Sequence, residues 1–177
     1  MKKFNVAILG ATGAVGQEML KILVERDFPI NELHLLASAR SAGKVINVAG
    51  KDYVVEETTE DCFKGIDIVL GAAENDIAER FLPKAVAAGA VVVDNSSAFR
   101  LDENVPLVIP EVNPEAVKSH KGIIANPNCA TIIGLVALQP LNAYAKAKRA
   151  VVSTYQAVSG AGVGGIRELE AQLDAIR

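Results

Sequence analysis

The feature that most constrains this chain is a set of three glycines between a short apolar run and a helix-like segment. In VAILGATGAVGQEML, Gly10, Gly13 and Gly16 follow the apolar residues 6–9 with the spacing G-x-x-G-x-x-G. A tight strand-to-helix turn favours glycine, and the N–H groups at the start of the following helix bind phosphate groups. The spacing is a variant of the dinucleotide-binding fingerprint. It predicts a dinucleotide site; the alternative is a tight turn with close helix packing.

Short runs rich in valine and isoleucine alternate with helical patterns along the whole chain. The alternation predicts an α/β fold of the Rossmann type, with a doubly wound and mostly parallel sheet. The predicted strands lie at residues 6–9, 32–38, 67–73, 90–94, 106–112, 122–125 and 150–158. Residues 45–50 and 53–57 fit either a hairpin or two edge strands. The predicted helices lie at residues 14–27, 75–89, 129–144 and 166–177.

Composition argues against several classes of protein. The net charge is -3 and the basic residues are scattered, which is not typical of a nucleic-acid surface. Cys62 and Cys129 lie far apart, so we expect neither a metal site nor a disulfide framework. No run approaches the roughly 20 apolar residues of a membrane helix, and the first apolar run breaks at Gly10, too early for a signal peptide. We therefore expect a cytoplasmic protein without a membrane anchor.

The end of the second predicted strand favours NADP over NAD. NAD-binding domains usually place Asp or Glu there, where the carboxylate binds the ribose 2′-hydroxyl. Here the strand continues into SARSAGK, which has no carboxylate and offers Ser38, Arg40, Ser41 and Lys44. Hydroxyl groups and positive charge suit a 2′-phosphate. The alternative is a solvated polar loop.

Cys129 is the candidate nucleophile. It follows NPN and begins an apolar helical pattern in NPNCATIIGL. The N–H groups and dipole at a helix N terminus lower the pKa of a thiol, and a thiolate can attack an acyl group. The Asn128 amide and the same N–H groups are candidates for stabilising an oxyanion. The alternative is a buried core cysteine, which is the interpretation we give to Cys62.

Two further segments carry candidate site residues. DNSSAFR follows a predicted strand and ends in Arg100, which is suited to holding a phosphate or carboxylate. In YQAVSGAG, Gln156 is a candidate for orienting the substrate, and Ser159 and Gly160 leave room for a flat ring close to the backbone. The alternatives are an ordinary surface arginine and a buried amide with satisfied hydrogen bonds.

Taken together, these motifs resemble the aspartate-semialdehyde dehydrogenase family. The motifs GATGAVG, SARSAGK, DNSSAFR, NPNCATI and QAVSGAG occur in the family's order and cover nearly the whole chain. The resemblance implies reduction of L-aspartyl 4-phosphate by NADPH to L-aspartate 4-semialdehyde, with release of phosphate, through a thioester on Cys129. This step leads towards lysine, threonine, methionine, isoleucine and diaminopimelate.

The resemblance also implies roles for individual residues. Arg100 would hold the phosphate, Gln156 the substrate, and Ser159 and Gly160 would lie near the nicotinamide. The implied NADP-binding residues are Gly10, Thr12, Gly13, Ala14, Val15, Ser38, Arg40 and Ser41. Residues 1–128 would form the NADP-binding domain, and residues 129–177 the beginning of an α+β catalytic and dimerisation domain.

In the family, a catalytic histidine and further basic residues come from a later half of a longer chain. Neither His34 nor His120 stands in a comparable position, and the last helical pattern still continues at Arg177. We therefore expect an N-terminal fragment with little activity alone, and a homodimer or homotetramer at full length. Two alternatives stay open: a related acyl-phosphate reductase of the N-acetyl-glutamyl-phosphate reductase type, and a non-catalytic nucleotide-binding module.

Overall fold

The computed structural model describes residues 2–176. Its internal contacts divide the chain into two compact units, Met1–Asn128 and Cys129–Arg177. The first unit contains a sheet with helices, and the second contains helical segments.

The first unit is built on a seven-stranded sheet with the order β3-β4-β2-β1-β5-β6-β7. All neighbouring strands are parallel except β3 and β4, which form an antiparallel hairpin. This confirms the predicted Rossmann-type sheet and decides between the two interpretations of residues 45–57. The strands are β1 Phe4–Leu9, β2 Ile30–Ala37, β3 Val45–Val48, β4 Lys51–Glu57, β5 Ile68–Gly71, β6 Val91–Asp94 and β7 Ile123–Ala125.

Helices pack on both faces of this sheet. Helix α1, Ala14–Glu25, contributes Leu20 to a buried cluster on one face that includes Ile8 and Leu35. Helix α2, Asn75–Ala87, packs on the opposite face against the cluster that contains Leu9 and Val92. Because both faces of β1 are covered, its residues 6–9 are all buried, which explains the continuous apolar run in the sequence.

The parallel register places the chemically interesting loops at one edge. Leu9 lies opposite Gly71, Gly71 opposite Asp94, and Asp94 opposite Ala125. The loops that follow β1, β5, β6 and β7 therefore leave the sheet side by side. In parallel α/β sheets this carboxyl edge is where ligands bind.

The predicted strand at residues 106–112 is wrong. Leu107 forms only an isolated bridge with Ala125, and Val112 N–H closes a turn by donating to the Ile109 carbonyl at 2.8 Å. Pro106 and Pro110 lack the backbone N–H that a ladder needs, so the pairing stops after one step.

The predicted strand at residues 150–158 is also wrong. The second unit consists of α3, Cys129–Ala145, a 3₁₀ turn at Val158–Ala161 and α4, Gly162–Ile176, and residues 146–157 have no regular structure. A strand forms only when a neighbouring strand accepts and donates its hydrogen bonds, and the described part of this unit contains no strand. The last helix begins at Gly162, four residues before its predicted start at residue 166, and Arg177 lies outside the described residues. Among residues 2–176, no helix is long and apolar enough to cross a membrane.

Candidate functional site

Two of the three glycines in the first loop are required by packing. Gly10 has a φ of 89°, and a Cβ added there would lie 2.6 Å from the Ala72 carbonyl oxygen. A Cβ on Gly16 would overlap the Gly10 carbonyl oxygen. The Gly10 N–H donates to the Leu36 carbonyl at 2.9 Å, so it is already used within the sheet. Gly10 and Gly16 therefore shape the loop, and we expect the other residues of the loop to contact a phosphate.

The start of α1 has the properties of a phosphate-binding site. Gly13 is the N-cap residue, and within residues 2–176 no side chain caps this helix end. An α-helix leaves its first N–H groups without an acceptor inside the helix, which makes the N–H groups of Ala14 and Val15 available to an anion. No acidic residue occurs in the first turn, and Thr12, Ala14 and Val15 are exposed. These features fit a dinucleotide pyrophosphate.

The loop after β2 carries the residues predicted to bind the 2′-phosphate. Ser38 and Arg40 are exposed, whereas Ser41 is buried, and the Ser41 N–H donates to the Ser38 carbonyl at 2.8 Å. This bond folds residues 38–41 into a turn from which Arg40 projects into solvent. The arrangement leaves the guanidinium free to reach a phosphate beside the strand end.

The structure also brings a carboxylate to this strand end, which the sequence analysis missed. Strand β4 runs parallel to β2, with Glu57 opposite Ala37. The Thr58 N–H and hydroxyl both donate to the Ala37 carbonyl, at 2.8 and 3.0 Å. In the sequence, this carboxylate is marked only by the polar end of the YVVEE run. The strand order that places the end of β4 beside the end of β2 cannot be deduced from either segment alone.

Arg100 is held by the ends of two strands. Its Nε–H donates to the Asn126 carbonyl at 2.9 Å, and its Nη2 donates to the Asn95 carbonyl at 3.0 Å. The two asparagines are themselves joined, because Asn126 Nδ2 donates to Asn95 Oδ1 at 2.7 Å. The two bonds use only part of the five N–H donors of a guanidinium. The half-buried Arg100 thus has a fixed plane and spare donors for an anion.

A buried carboxylate organises the loop that carries Arg100. Asp94 is fully buried at the end of β6, and its two oxygens accept hydrogen bonds from the Ser96 N–H at 3.0 Å and the Ser96 hydroxyl at 2.6 Å. A Cβ on Gly71 would lie 2.7 Å from Asp94 Oδ1, so the neighbouring strand provides the space for this side chain. The DNSSAFR motif predicted a role for Arg100 but none for Asp94, Asn95 or Ser96.

In the second unit, Cys129 is the first residue of α3, and its side chain is exposed. Its Sγ lies 3.9 Å from Gln156 Oε1. The structure therefore brings together two residues that stand 27 positions apart in the sequence. An exposed thiol at a helix N terminus, with an amide beside it, suits a nucleophile and does not suit a core cysteine. Asn128 precedes Cys129 directly and is exposed as well.

Cys62 has a different environment. It is half-buried in the first unit, and its thiol donates to the Thr59 carbonyl at 3.0 Å. Burial raises the pKa of the Cys62 thiol, which disfavours the reactive thiolate. The remaining predicted residues of the second unit, Ser159 and Gly160, lie exposed in the 3₁₀ turn before α4.

The two histidines take part in local structure. His34 lies on β2 with its Nδ1 3.0 Å from Glu56 Oε1, and His120 Nδ1 accepts a hydrogen bond from the Gly122 N–H at 3.1 Å. Neither arrangement resembles a site for proton transfer to a substrate. Across residues 2–176, no three His, Cys, Asp or Glu side chains are grouped so that they could hold a metal ion.

Comparison with known proteins identifies the family. Residues 5–120 match the family model described as semialdehyde dehydrogenase, NAD binding domain, and residues 138–177 match semialdehyde dehydrogenase, dimerisation domain. Aspartate-semialdehyde dehydrogenase of Aquifex aeolicus (strain VF5) is 55% identical over 175 residues, covering 97% of this chain and 52% of that protein. The chain thus spans about half the length of the curated relatives it matches.

Solved structures agree with this. The crystal structure of aspartate semialdehyde dehydrogenase II from Vibrio cholerae superposes with a TM-score of 0.90 at 49% identity, covering 99% of this chain and 53% of that one. The structure of aspartate semialdehyde dehydrogenase with NADP from Candida albicans has a TM-score of 0.65 at 29% identity, covering 82% of this chain and 48% of that one. The chain belongs to the semialdehyde dehydrogenase family, and residues 5–120 are its NAD-binding domain.

Proposed function

We propose that this chain carries the cofactor-binding and nucleophile-bearing residues of an NADP-dependent aspartate-semialdehyde dehydrogenase. The reaction is the reductive dephosphorylation of L-aspartyl 4-phosphate to L-aspartate 4-semialdehyde. The observation that carries the proposal is the exposed Cys129 thiol at the start of α3, with the Gln156 amide 3.9 Å away. Relatives at about half identity bear the name of this enzyme.

The first unit supports the cofactor assignment. The uncapped start of α1 would hold the pyrophosphate, and Ser38, Arg40 and Ser41 would bind the 2′-phosphate. A homologous structure contains NADP. When bound, the dinucleotide supplies the hydride that reduces the thioester to the aldehyde. Glu57, opposite Ala37, would repel a 2′-phosphate, and the positive charge of Arg40 would offset that repulsion.

The second unit supports covalent catalysis. The Cys129 thiolate attacks the acyl carbon of aspartyl phosphate, the carbon–oxygen bond to phosphate breaks, and phosphate leaves with the bonding electrons. The product is a thioester between the aspartyl group and Sγ. The Asn128 amide and the N–H groups at the start of α3 would stabilise the oxyanion formed on the way, and Gln156 would orient the acyl group.

Arg100 is the proposed phosphate ligand. Its guanidinium plane is fixed by the Asn95 and Asn126 carbonyls, and a fixed guanidinium loses little entropy when it binds an anion. Its spare N–H donors can form charge-assisted bonds to the phosphate oxygens.

The acyl-transfer half of the reaction can be tested without a cofactor. The chain is incubated with L-aspartyl 4-phosphate, and the peptides that contain Cys129 and Cys62 are examined by mass spectrometry while released phosphate is measured. We expect an aspartyl group on Cys129 and an equal amount of phosphate. Cys129→Ser should abolish both, and Cys62→Ser should change neither. Equal modification of the two cysteines, or none on Cys129, would refute the proposal.

The resemblance extends the proposal to the biology of the enzyme. The product would enter biosynthesis of lysine, threonine, methionine, isoleucine and, in bacteria, diaminopimelate, in the cytoplasm. The match of residues 138–177 to a dimerisation domain supports assembly of the full-length protein as a homodimer or homotetramer. Sedimentation analysis of the full-length protein tests this assembly directly.

A further inference from the structure

Gly160 occupies a position where a side chain would collide with Gln156. A Cβ added to Gly160 would overlap Gln156 Nε2 and would lie 2.9 Å from Cδ and 3.2 Å from Cγ of the same residue. The Gln156 side chain therefore runs directly over Gly160 before its Oε1 reaches the Cys129 thiol. Because Cδ is crowded as well as the terminal nitrogen, the Gln156 side chain would have to move away from its present position to make room for a Cβ.

The backbone gives no other reason for a glycine here. Gly160 lies in the 3₁₀ turn Val158–Ala161, with a φ outside the left-handed region, and its N–H donates to the Ala157 carbonyl at 3.0 Å. An alanine fits such a backbone. Gly162, two residues later, differs because its φ is 73°. The three atoms nearest to a Cβ at Gly160 thus all belong to Gln156.

We propose that Gly160 is a positioning residue: the absence of its side chain creates the space through which the Gln156 amide reaches the Cys129 thiol. The role is steric and does not depend on any contact between Gly160 and a cofactor. The inference rests on the proposed function only in taking Gln156 and Cys129 as partners in one site. Its test needs neither substrate nor cofactor. The positioning role can therefore be refuted while the proposed reaction stands, and the proposed reaction can be refuted while the positioning role stands.

The test uses Gln156→Glu as a probe of position. Glutamate has the same shape as glutamine but carries a negative charge, which disfavours a thiolate beside it. At about 4 Å in solvent, one charge should slow the alkylation of Cys129 by iodoacetamide about fivefold near neutral pH. Alkylation of Cys62 in the same sample is the internal reference.

The decisive comparison is between glycine positions. In a Gly160→Ala background, we expect Gln156→Glu to slow alkylation less than about twofold, because the added methyl displaces the glutamate. Gly164→Ala is the matched control, since a Cβ at Gly164 meets no atom within 4 Å. In that background the fivefold effect should persist. In ¹⁵N spectra, the Gln156 side-chain amide signals should move in Gly160→Ala and stay in place in Gly164→Ala.

Three outcomes would overturn the proposal. Gln156→Glu without effect in the original chain would mean that the amide does not approach the thiol in solution. A fivefold effect that persists with Gly160→Ala would mean that the space is not needed. Loss of the effect with Gly164→Ala as well would mean that any substitution in this segment disturbs it, and that Gly160 has no specific role.

Discussion

Asp94→Ala should destabilise the first unit strongly, because this carboxylate is buried and holds the loop that carries Arg100. The substitution removes the acceptor for the Ser96 N–H at 3.0 Å and for the Ser96 hydroxyl at 2.6 Å. Hydrogen bonds to a charged group contribute about 1.5 to 3 kcal/mol each, so the loss is about 3 to 6 kcal/mol. Removing a buried charge returns part of its desolvation cost, and we expect a net loss of about 2 to 4 kcal/mol.

Asp102 provides a matched control in the same unit. Its Oδ1 also accepts a hydrogen bond from the N–H two residues later, that of Asn104 at 2.8 Å. The local motif is the same as at Asp94, but Asp102 is exposed. Water replaces the lost bond in Asp102→Ala, so we expect a cost below about 1 kcal/mol. Any larger cost of Asp94→Ala is therefore due to burial.

Native-state hydrogen exchange measured by mass spectrometry can follow this difference. The slowest amides of β5 and β6 report the free energy of unfolding of the first unit, independently of the second. Asp94→Ala should speed their exchange about 30-fold or more, and Asp102→Ala less than about fivefold. Asp94→Asn, which keeps one oxygen acceptor, should recover a large part of the loss. Equal effects of the two alanine substitutions would refute the assigned role of the buried carboxylate.

Three further predictions follow from local geometry. Ala49 and Gly50 form the β3–β4 turn, with φ values of 51° and 85°. Because asparagine tolerates a positive φ better than alanine does, Ala49→Asn should stabilise the first unit by about 0.5 kcal/mol in urea unfolding. Arg40→Ala should weaken NADPH binding about tenfold and NADH binding less than about twofold in fluorescence titrations, and an equal loss for both would remove Arg40 from the 2′-phosphate site. Burial raises the pKa of Cys62 above 9.0, so the unfolded chain loses this proton first and stability falls as the pH rises past 9.0. Urea midpoints below and above that pH should show a smaller fall in Cys62→Ala, and an unchanged fall would place its cause elsewhere.

The sequence predicted the parallel sheet well because its strands are buried on both faces. The run at residues 6–9 is apolar throughout, as a central parallel strand requires, and the structure buries every one of these residues. The same reasoning failed at residues 150–158. There the apolar residues Val151 and Val152 are 82% and 68% exposed, so their pattern reflects neither a strand nor a buried core in the described residues.

Contacts that depend on strand order could not be predicted from local motifs. Glu57 lies beside the end of β2 because β4 enters the sheet next to β2. Likewise, the Asn95–Asn126 pair exists because β6 and β7 are neighbours. Each of these residues is an ordinary polar residue after a strand, and its partner lies about 20 or 30 positions away in the chain. Such pairs become visible only when the register is known.

The position of Arg100, the candidate phosphate ligand, also depends on strand order. Arg100 is anchored by carbonyls that follow β6 and β7, and the Asn126 N–H donates to the Asp94 carbonyl at 2.8 Å. The position of the guanidinium is therefore set by the pairing of two strands and only indirectly by its own loop. Since β6 and β7 share just three register pairs, from Val92 to Asp94, this pairing is short. A substitution that shifts the end of β7 would move the anion-binding group without altering Arg100 itself, and the buried Asp94 carboxylate opposes that shift by fixing the turn that follows β6.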